Sequence, residues 1–379
     1  MSFVNLMVLL MHPLSKSIQR ELDDFFQRLN KSDFQIRTVT KGALTQARAK
    51  LQPEAFQALD KVVRNGFYRD ASHYTWDKYR VRVVDGSTIV LPQHESIVKE
   101  FGIHNFGPNA DSPRSLARIS LLYDPLNGIT IDGQIAGYAT SERTLCDAHL
   151  EHVKAGDLLI FDRFYAGFDL MRKLYDLKAD FLFRMKEGWW NKVREFESQQ
   201  QDDQLVEFEP REGKKLKARL IRVKLDDGQQ QIFCTSVKSR KFSPQDFSDL
   251  YHNRWGVEET YKTLKNWVEL ENFSGKTALA VKQDFFSKIF LMNLCTAYSH
   301  PVSEQIKKEK EDYQVNRAQS LALVSVLPVP LFIFRKVRDA LKSFDNILSK
   351  TVDRIRPNRK FKRKKMVFRT RFSMNYKRL

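Results

Sequence analysis

Three carboxylates stand in segments that are otherwise apolar, and an acid in such surroundings needs a reason. Asp85 follows Val81-Arg82-Val83-Val84 and precedes Gly86-Ser87-Thr88-Ile89-Val90; Asp162 closes the run Leu158-Leu159-Ile160-Phe161; Glu258 lies in a strongly helical segment from Phe247 to Val268. Carboxylate oxygens are the ligands of hard divalent cations such as Mg²⁺ or Mn²⁺. Two such ions roughly 3.5–4 Å apart can activate a water or a 3′-hydroxyl and stabilise a leaving oxygen. This donor set suits phosphodiester cleavage. Local sequence leaves Asp85 open between two roles, because Asp-Gly between apolar runs is also the strongest short-range signal for a hairpin turn. Asp162 ends a buried-strand run, a place where site residues are commonly displayed.

The segment around Glu258 is the most specific. It reads Tyr251-His-Asn-Arg254-Trp-Gly-Val-Glu258-Glu-Thr-Tyr-Lys-Thr-Leu-Lys265. With Arg254 set to zero on a continuous helix, Lys265, Glu258 and Tyr251 fall at about 20°, about 40° and about 60°, a single stripe. Val257, Leu264 and Val268 form the adjacent apolar face, and Glu259 points away from both. Helical geometry thus selects Glu258 over Glu259 as a metal ligand. Arg254 and Lys265 are expected to hold phosphates, and Tyr251 to position the backbone. The bland reading is a solvated helix face with an i, i+4 ion pair.

The spacing Y-(2)-R-(3)-E-(6)-K resembles the signature of the IS-four family of insertion-sequence transposases. Asp85 in Val-Val-Asp-Gly-Ser looks like that family's first aspartate, and Asp162 in Phe-Asp-Arg-Phe-Tyr like its second. Leu270-Glu-Asn-Phe-Ser-Gly-Lys276 and Ala117 to Leu126 also resemble family blocks, although relatives often have Gly-Tyr where this chain has Phe164-Tyr165. The resemblance covers roughly residues 40 to 290. It implies a DDE triad of Asp85, Asp162 and Glu258 on a ribonuclease-H-like fold, two metal ions, and a homodimer in a synaptic complex with DNA. It also favours a catalytic Asp85 over the hairpin. Trp189, Trp190 and Trp255 are candidates to stack on a flipped base, with core packing the simpler role for each.

These residues need a scaffold, and periodicity outlines one. Helical spacing from Ser15 to Val63 is broken near Ser32 to Thr40 and again at Leu51 to Glu54, indicating a helical N-terminal domain over 1–72. There Gln46, Arg48 and Lys50 could face a DNA groove. From Tyr79 the pattern becomes strand-like at 79–84, 87–91, 116–123, 129–136 and 157–161, with helices at 143–153 and 167–177. This predicts an α/β class with a mixed-sheet core over 73–290, carrying an inserted β subdomain at about 186–244. A helical region over 291–353 and a basic tail over 354–379 complete the organisation. The tail holds 12 Lys or Arg and no acid, including Lys362, Arg363, Lys364 and Lys365, a composition expected to grip DNA.

Lysine and arginine outnumber aspartate and glutamate 64 to 46, giving a net charge of +18, which favours a polyanionic partner over an apolar one. Double-stranded DNA, as element ends and target, leads. No run is long enough to span a membrane, and Phe3 to Met11 is read as a core-packing helix. Three scattered cysteines lack the spacing of a disulfide framework, which suggests a cytoplasmic, nucleoid-associated protein. Cys146, Asp147, His149 and His152 crowd together, but a helix surface near a turn explains them more simply than zinc. The reading is a cut-and-paste transposase. Its rivals are a structure-selective metal-dependent nuclease and a DNA-binding protein with a relic site.

Overall fold

The β-branched run Arg80–Val90 forms one unbroken strand, β1, with Asp85 at its centre, so the hairpin that Asp85-Gly86 could have made is not formed. Valine, isoleucine and threonine on both sides of the pair fit a pleated surface well enough to carry the chain straight through it. These features belong to a computed structural model that describes residues 1–14, 16–105, 113–209, 215–225 and 228–356. The described residues fall into two units, one within 73–88 and 118–261, the other within 1–72, 89–117 and 262–356.

The sheet belongs largely to the first of these. Its further strands are β2 (Leu116–Asp124), β3 (Ile129–Gly137), β4 (Asp157–Phe161), β5 (Asp180–Arg184), β6 (Asp203–Phe208), β7 (Leu216–Lys224) and β8 (Gln230–Thr235). Their spatial order is β3-β2-β1-β4-β5-β8-β7-β6. β1, β4 and β5 run parallel, whereas β8 pairs antiparallel with β5, β7 with β8 and β6 with β7. The fold is therefore α/β with a mixed sheet. β4 is buried at all five positions, as a central parallel strand covered on both faces should be. The strands from the expected β insertion do not make a sheet of their own. Leu182 pairs with Thr235, and the buried Ile232–Thr235 segment of β8 extends the core sheet from the free edge of β5.

Helices α6 (Glu142–His149), α7 (Phe168–Asp176), α8 (Asn191–Ser198) and α9 (Pro244–His252) lie in the same unit, together with the first half of α10 (Trp255–Asn266). Periodicity predicts one helix over 247–268, and the chain forms two. Asn253 caps α9, and the Arg254 amide donates to the Tyr251 carbonyl in a tighter i to i−3 turn. Gly256 follows at a close approach: a Cβ there would sit 3.3 Å from the Pro125 side chain. Tyr251 therefore lies on α9, Arg254 in the turn, and Glu258 and Lys265 on α10.

The other unit is mostly helical. It contains α1 (Phe3–Met11), α2 (Ile18–Asn30), α3 (Lys41–Ala49), α4 (Glu54–Asp70), α5 (Glu95–Phe101), α11 (Ala278–Glu309), α12 (Arg317–Val326) and α13 (Val337–Lys350). The long α11 packs against α1, α4 and α12, and Leu6 to Met11 are all buried. Pro328 and Pro330 end the apolar run after α12 in a single wide helical turn, Val329–Ile333. The expected tail beyond residue 356, including Lys362, Arg363, Lys364 and Lys365, lies outside the described residues.

Candidate active site

In the parallel pair, Val81 stands opposite Leu158 and Val83 opposite Ile160. Continuing that register by two residues brings Asp85 level with Asp162, immediately past the end of β4. Equivalent positions on adjacent strands present side chains to one face. A turn holds Asp162: the Phe164 amide donates to its Oδ1 at 2.6 Å, and the Tyr165 amide donates to its carbonyl at 3.2 Å. Glu258 sits in the first turn of α10.

Arg254 connects the third acid to the first. Its Nη2 donates to Glu258 Oε1 at 2.7 Å, and its Nη1 lies 3.7 Å from Asp85 Oδ2. The guanidinium also lies over the rings of Trp255 and Tyr251, at 5.1 and 5.8 Å. Burial pushes the Asp85 carboxyl up to about 7; Arg254 and the Gly86 amide oppose the rise, and the charges of Asp162 and Glu258 add to it. The three acids thus share one electrostatic neighbourhood.

The donors are hard oxygens carrying excess negative charge, which suits a divalent cation. Arg254 supplies the counter-charge as the chain stands, and among the described residues no three His, Cys, Asp or Glu side chains are drawn tightly enough together to enclose an ion. Glu259 is exposed, whereas Glu258 is half-buried and paired with Arg254.

The remaining expected residues are placed unevenly. Tyr251 is only 6% exposed and packs on Phe233, so it is built into the wall instead of standing out to meet a backbone. Lys265 lies two turns beyond Glu258 on α10. It is half-buried, and burial draws its ammonium below the usual lysine range while Glu271 opposes this. Arg48 does not take the groove-facing surface position that its helix pattern suggests. It is buried instead: Nε donates to Gln283 at 2.8 Å and Nη2 donates to Asp284 at 3.0 Å and to the Ala280 carbonyl at 3.1 Å. Lys50, at the end of α3, is exposed. Trp189 and Trp255 are 41% and 39% exposed, while Trp190 stacks on Phe168.

Several neighbours of the acids are not evident from sequence. The Tyr261 hydroxyl donates to the Asp85 carbonyl at 2.7 Å; its position three residues after Glu258 on the same helix is the available signal. Glu142 lies against Gly86, close enough that a Cβ there would meet its Cδ at 2.9 Å. Arg143 donates to the Phe164 carbonyl at 2.8 Å beside Asp162. Nothing local in the sequence points to these last two.

A family model described as the transposase DDE domain matches residues 76–294, more than half of the chain and all three acids. The chain belongs to the DDE transposase-domain family. Against curated proteins this DDE transposase has no match. Among solved structures it is similar to a piggyBac transposase synaptic complex with hairpin DNA determined by cryo-EM. That likeness has 13% identity and a TM-score of 0.48, over 91% of this chain and 75% of that one. A Mos1 transposase paired-end complex with the left transposon end is similar at 9% identity and a TM-score of 0.18, over 44% and 53% of the two chains. Both likenesses are too distant to carry residue roles across to the DDE domain.

Proposed function

We propose that this DDE transposase is a cut-and-paste enzyme of the IS-four type that binds the terminal inverted repeats of its element, cleaves there and joins the ends to target DNA. The observation that carries the reading is the register that sets Asp85 beside Asp162, with Glu258 tied to Asp85 through Arg254. Asp85, Asp162 and Glu258 would hold two Mg²⁺ or Mn²⁺ ions, which when bound activate the attacking water or 3′-hydroxyl and stabilise the leaving oxygen. The strand order β3-β2-β1-β4-β5, with β1, β4 and β5 parallel, supports a ribonuclease-H-like core.

The protein's own residues have distinct parts to play. The turn after β4 fixes Asp162, α10 carries Glu258 toward the strands, and Tyr251 buttresses Arg254. Arg254 lies against Asp85 and Glu258 as their counter-charge, and with metal bound its guanidinium would be available to a phosphate. Lys50, Lys265 and the basic residues Lys362, Arg363, Lys364 and Lys365 would contact the DNA backbone, in keeping with the net charge of +18. Two copies would act in a synaptic complex, each cleaving one end. None of the described helices is long and apolar enough to cross a membrane, and the proposed place of action is the nucleoid in the cytoplasm.

The test is Mg²⁺-dependent cleavage of a plasmid carrying the element with its flanking sequence. Asp85→Ala, Asp162→Ala and Glu258→Ala should each abolish cutting while DNA binding, measured in parallel, persists. Alanine variants that cut at the wild-type rate would overturn the assignment. Wild-type cutting that does not require paired repeats would identify a structure-selective nuclease, and wild-type binding without cutting a relic.

A further inference from the structure

We propose that Tyr261, Ser120, His149 and Asp132 are positioning residues that fix the first catalytic aspartate through its backbone carbonyl, leaving the carboxylate free for metal. The inference rests on the reading of Asp85 as a metal ligand. Asp85 lies on β1, whose neighbour β2 carries Ser120. Two side-chain hydroxyls take up the Asp85 carbonyl. Tyr261 donates at 2.7 Å and Ser120 donates at 3.2 Å, matching the two lone pairs of a carbonyl oxygen.

Ser120 is itself held from behind. His149 Nε2 lies 2.9 Å from Ser120 Oγ, and His149 Nδ1 lies 2.6 Å from Asp132 Oδ2. A carbonyl can only accept, so the Ser120 hydroxyl is the donor to Asp85. The Asp132 carboxylate also accepts from Gln134 Nε2 at 2.7 Å. Burial works to raise the Asp132 carboxyl, but its bonds from His149 and Gln134 outweigh this and hold it below the usual range. The result is a continuous line of hydrogen bonds from β3 through α6 and β2 to the backbone of β1.

A serine, a histidine and an aspartate in sequence could also suggest a nucleophile. Ser120 and His149 are both 0% exposed, so no substrate can reach the hydroxyl, and the arrangement can act only by holding something in place. Burying a histidine this completely requires satisfied partners, and what the network supports is the backbone carbonyl of Asp85. Tyr261 adds a second constraint: it lies one turn along α10 from Glu258, so the helix that carries the third acid also grips the strand that carries the first. The spacing between the two acids is therefore set by hydrogen bonds that do not consume either carboxylate.

The test uses Tyr261→Phe, Ser120→Ala and the double variant in the full chain. Mn²⁺ affinity is measured by isothermal titration without DNA, and nicking of supercoiled plasmid yields kcat and KM. Each single variant should weaken Mn²⁺ binding by about tenfold, as loss of the partner that orients a ligand does. The kcat should fall by a similar factor with KM for DNA unchanged, and the double variant should lose more. Wild-type Mn²⁺ affinity and kcat in both single variants, with Asp85→Asn inactive, would overturn the proposal and leave the carboxylate assignment standing. Asp85→Asn binding Mn²⁺ as wild type does would instead overturn that assignment. Parallel loss of Mn²⁺ and DNA affinity with a lowered melting temperature would show that these residues serve the fold as a whole, which also overturns the proposal.

Discussion

Asp85 stands level with Asp162 on the neighbouring parallel strand, in the register that sets Val83 against Ile160. The pairing of two acids at a strand end makes the metal-free site costly to ionise: burial first, then the charges of Asp162 and Glu258, push Asp85 up to about 7. A carboxyl raised on folding stabilises the folded state when protonated. For Asp85 that contribution is complete below about 3.8 and is lost as pH rises through about 7. In EDTA, Asp85→Asn should therefore melt increasingly higher than the wild type as pH rises from about 5 to about 8. Mn²⁺ should raise the wild-type melting temperature more at about pH 8 than at about pH 5.5, and should do little for Asp85→Asn. A difference between variant and wild type that stays flat across this range would sink the argument.

Arg254 lowers the cost of holding Asp85 ionised and is ion-paired with Glu258. Replacing it by glutamine should leave two partly buried carboxylates without their counter-charge, a loss of roughly 1–3 kcal/mol for hydrogen bonds to a charged group. The sign follows from protonation: the destabilisation should be largest at about pH 8 and should shrink as the pH is lowered and Asp85 takes up a proton. Urea melts of Arg254→Gln at several pH values would reveal this, and an equal loss at every pH would point to packing against Tyr251 and Trp255 instead.

What can be read from the sequence is whatever depends on near neighbours along the chain. The runs flanking Asp85 and preceding Asp162 specify strands, and the apolar face of Val257, Leu264 and Val268 is where the helical pattern puts it, all three being buried. The failures come from distant partners. Arg48 looks like a basic surface residue because Gln283 and Asp284, which bury it, lie more than 230 positions away. His149 looks like a helix-surface residue because Ser120 and Asp132 come to it from two other strands. The stripe through Tyr251 assumes a continuous helix, whereas the chain turns at Arg254, and Pro125, which stands close to Gly256, comes from a distant strand connection. β8 joins the core because β5 offers an unpaired edge, which no local pattern records.

The Arg48 cluster makes a prediction of its own. Arg48 and Asp284 have side chains only 7% and 5% exposed, and removing one partner strands the other charge inside. Arg48→Ala should cost roughly 3–5 kcal/mol, visible as a lower urea midpoint with an unchanged slope. If DNA affinity fell while the midpoint stayed put, Arg48 would be a DNA-binding residue after all.

Lys50 and the basic tail should behave in the opposite manner. Lys50 is exposed at the end of α3, and the segment beyond residue 356 adds a dense run of cations, including Lys362, Arg363, Lys364 and Lys365. Neither Lys50→Ala nor truncation after Arg356 should shift the urea midpoint. A cation that neutralises a phosphate of duplex DNA releases condensed counterions, so removing it should reduce the slope of log affinity against log salt by about 0.9. Truncation should therefore flatten the salt dependence by several such steps, and Lys50→Ala by about one, with no change in sequence preference because phosphates carry no base identity. Affinities measured on one duplex across a range of salt concentrations would decide it: an unchanged slope after truncation would mean that the tail's charge is not spent on DNA.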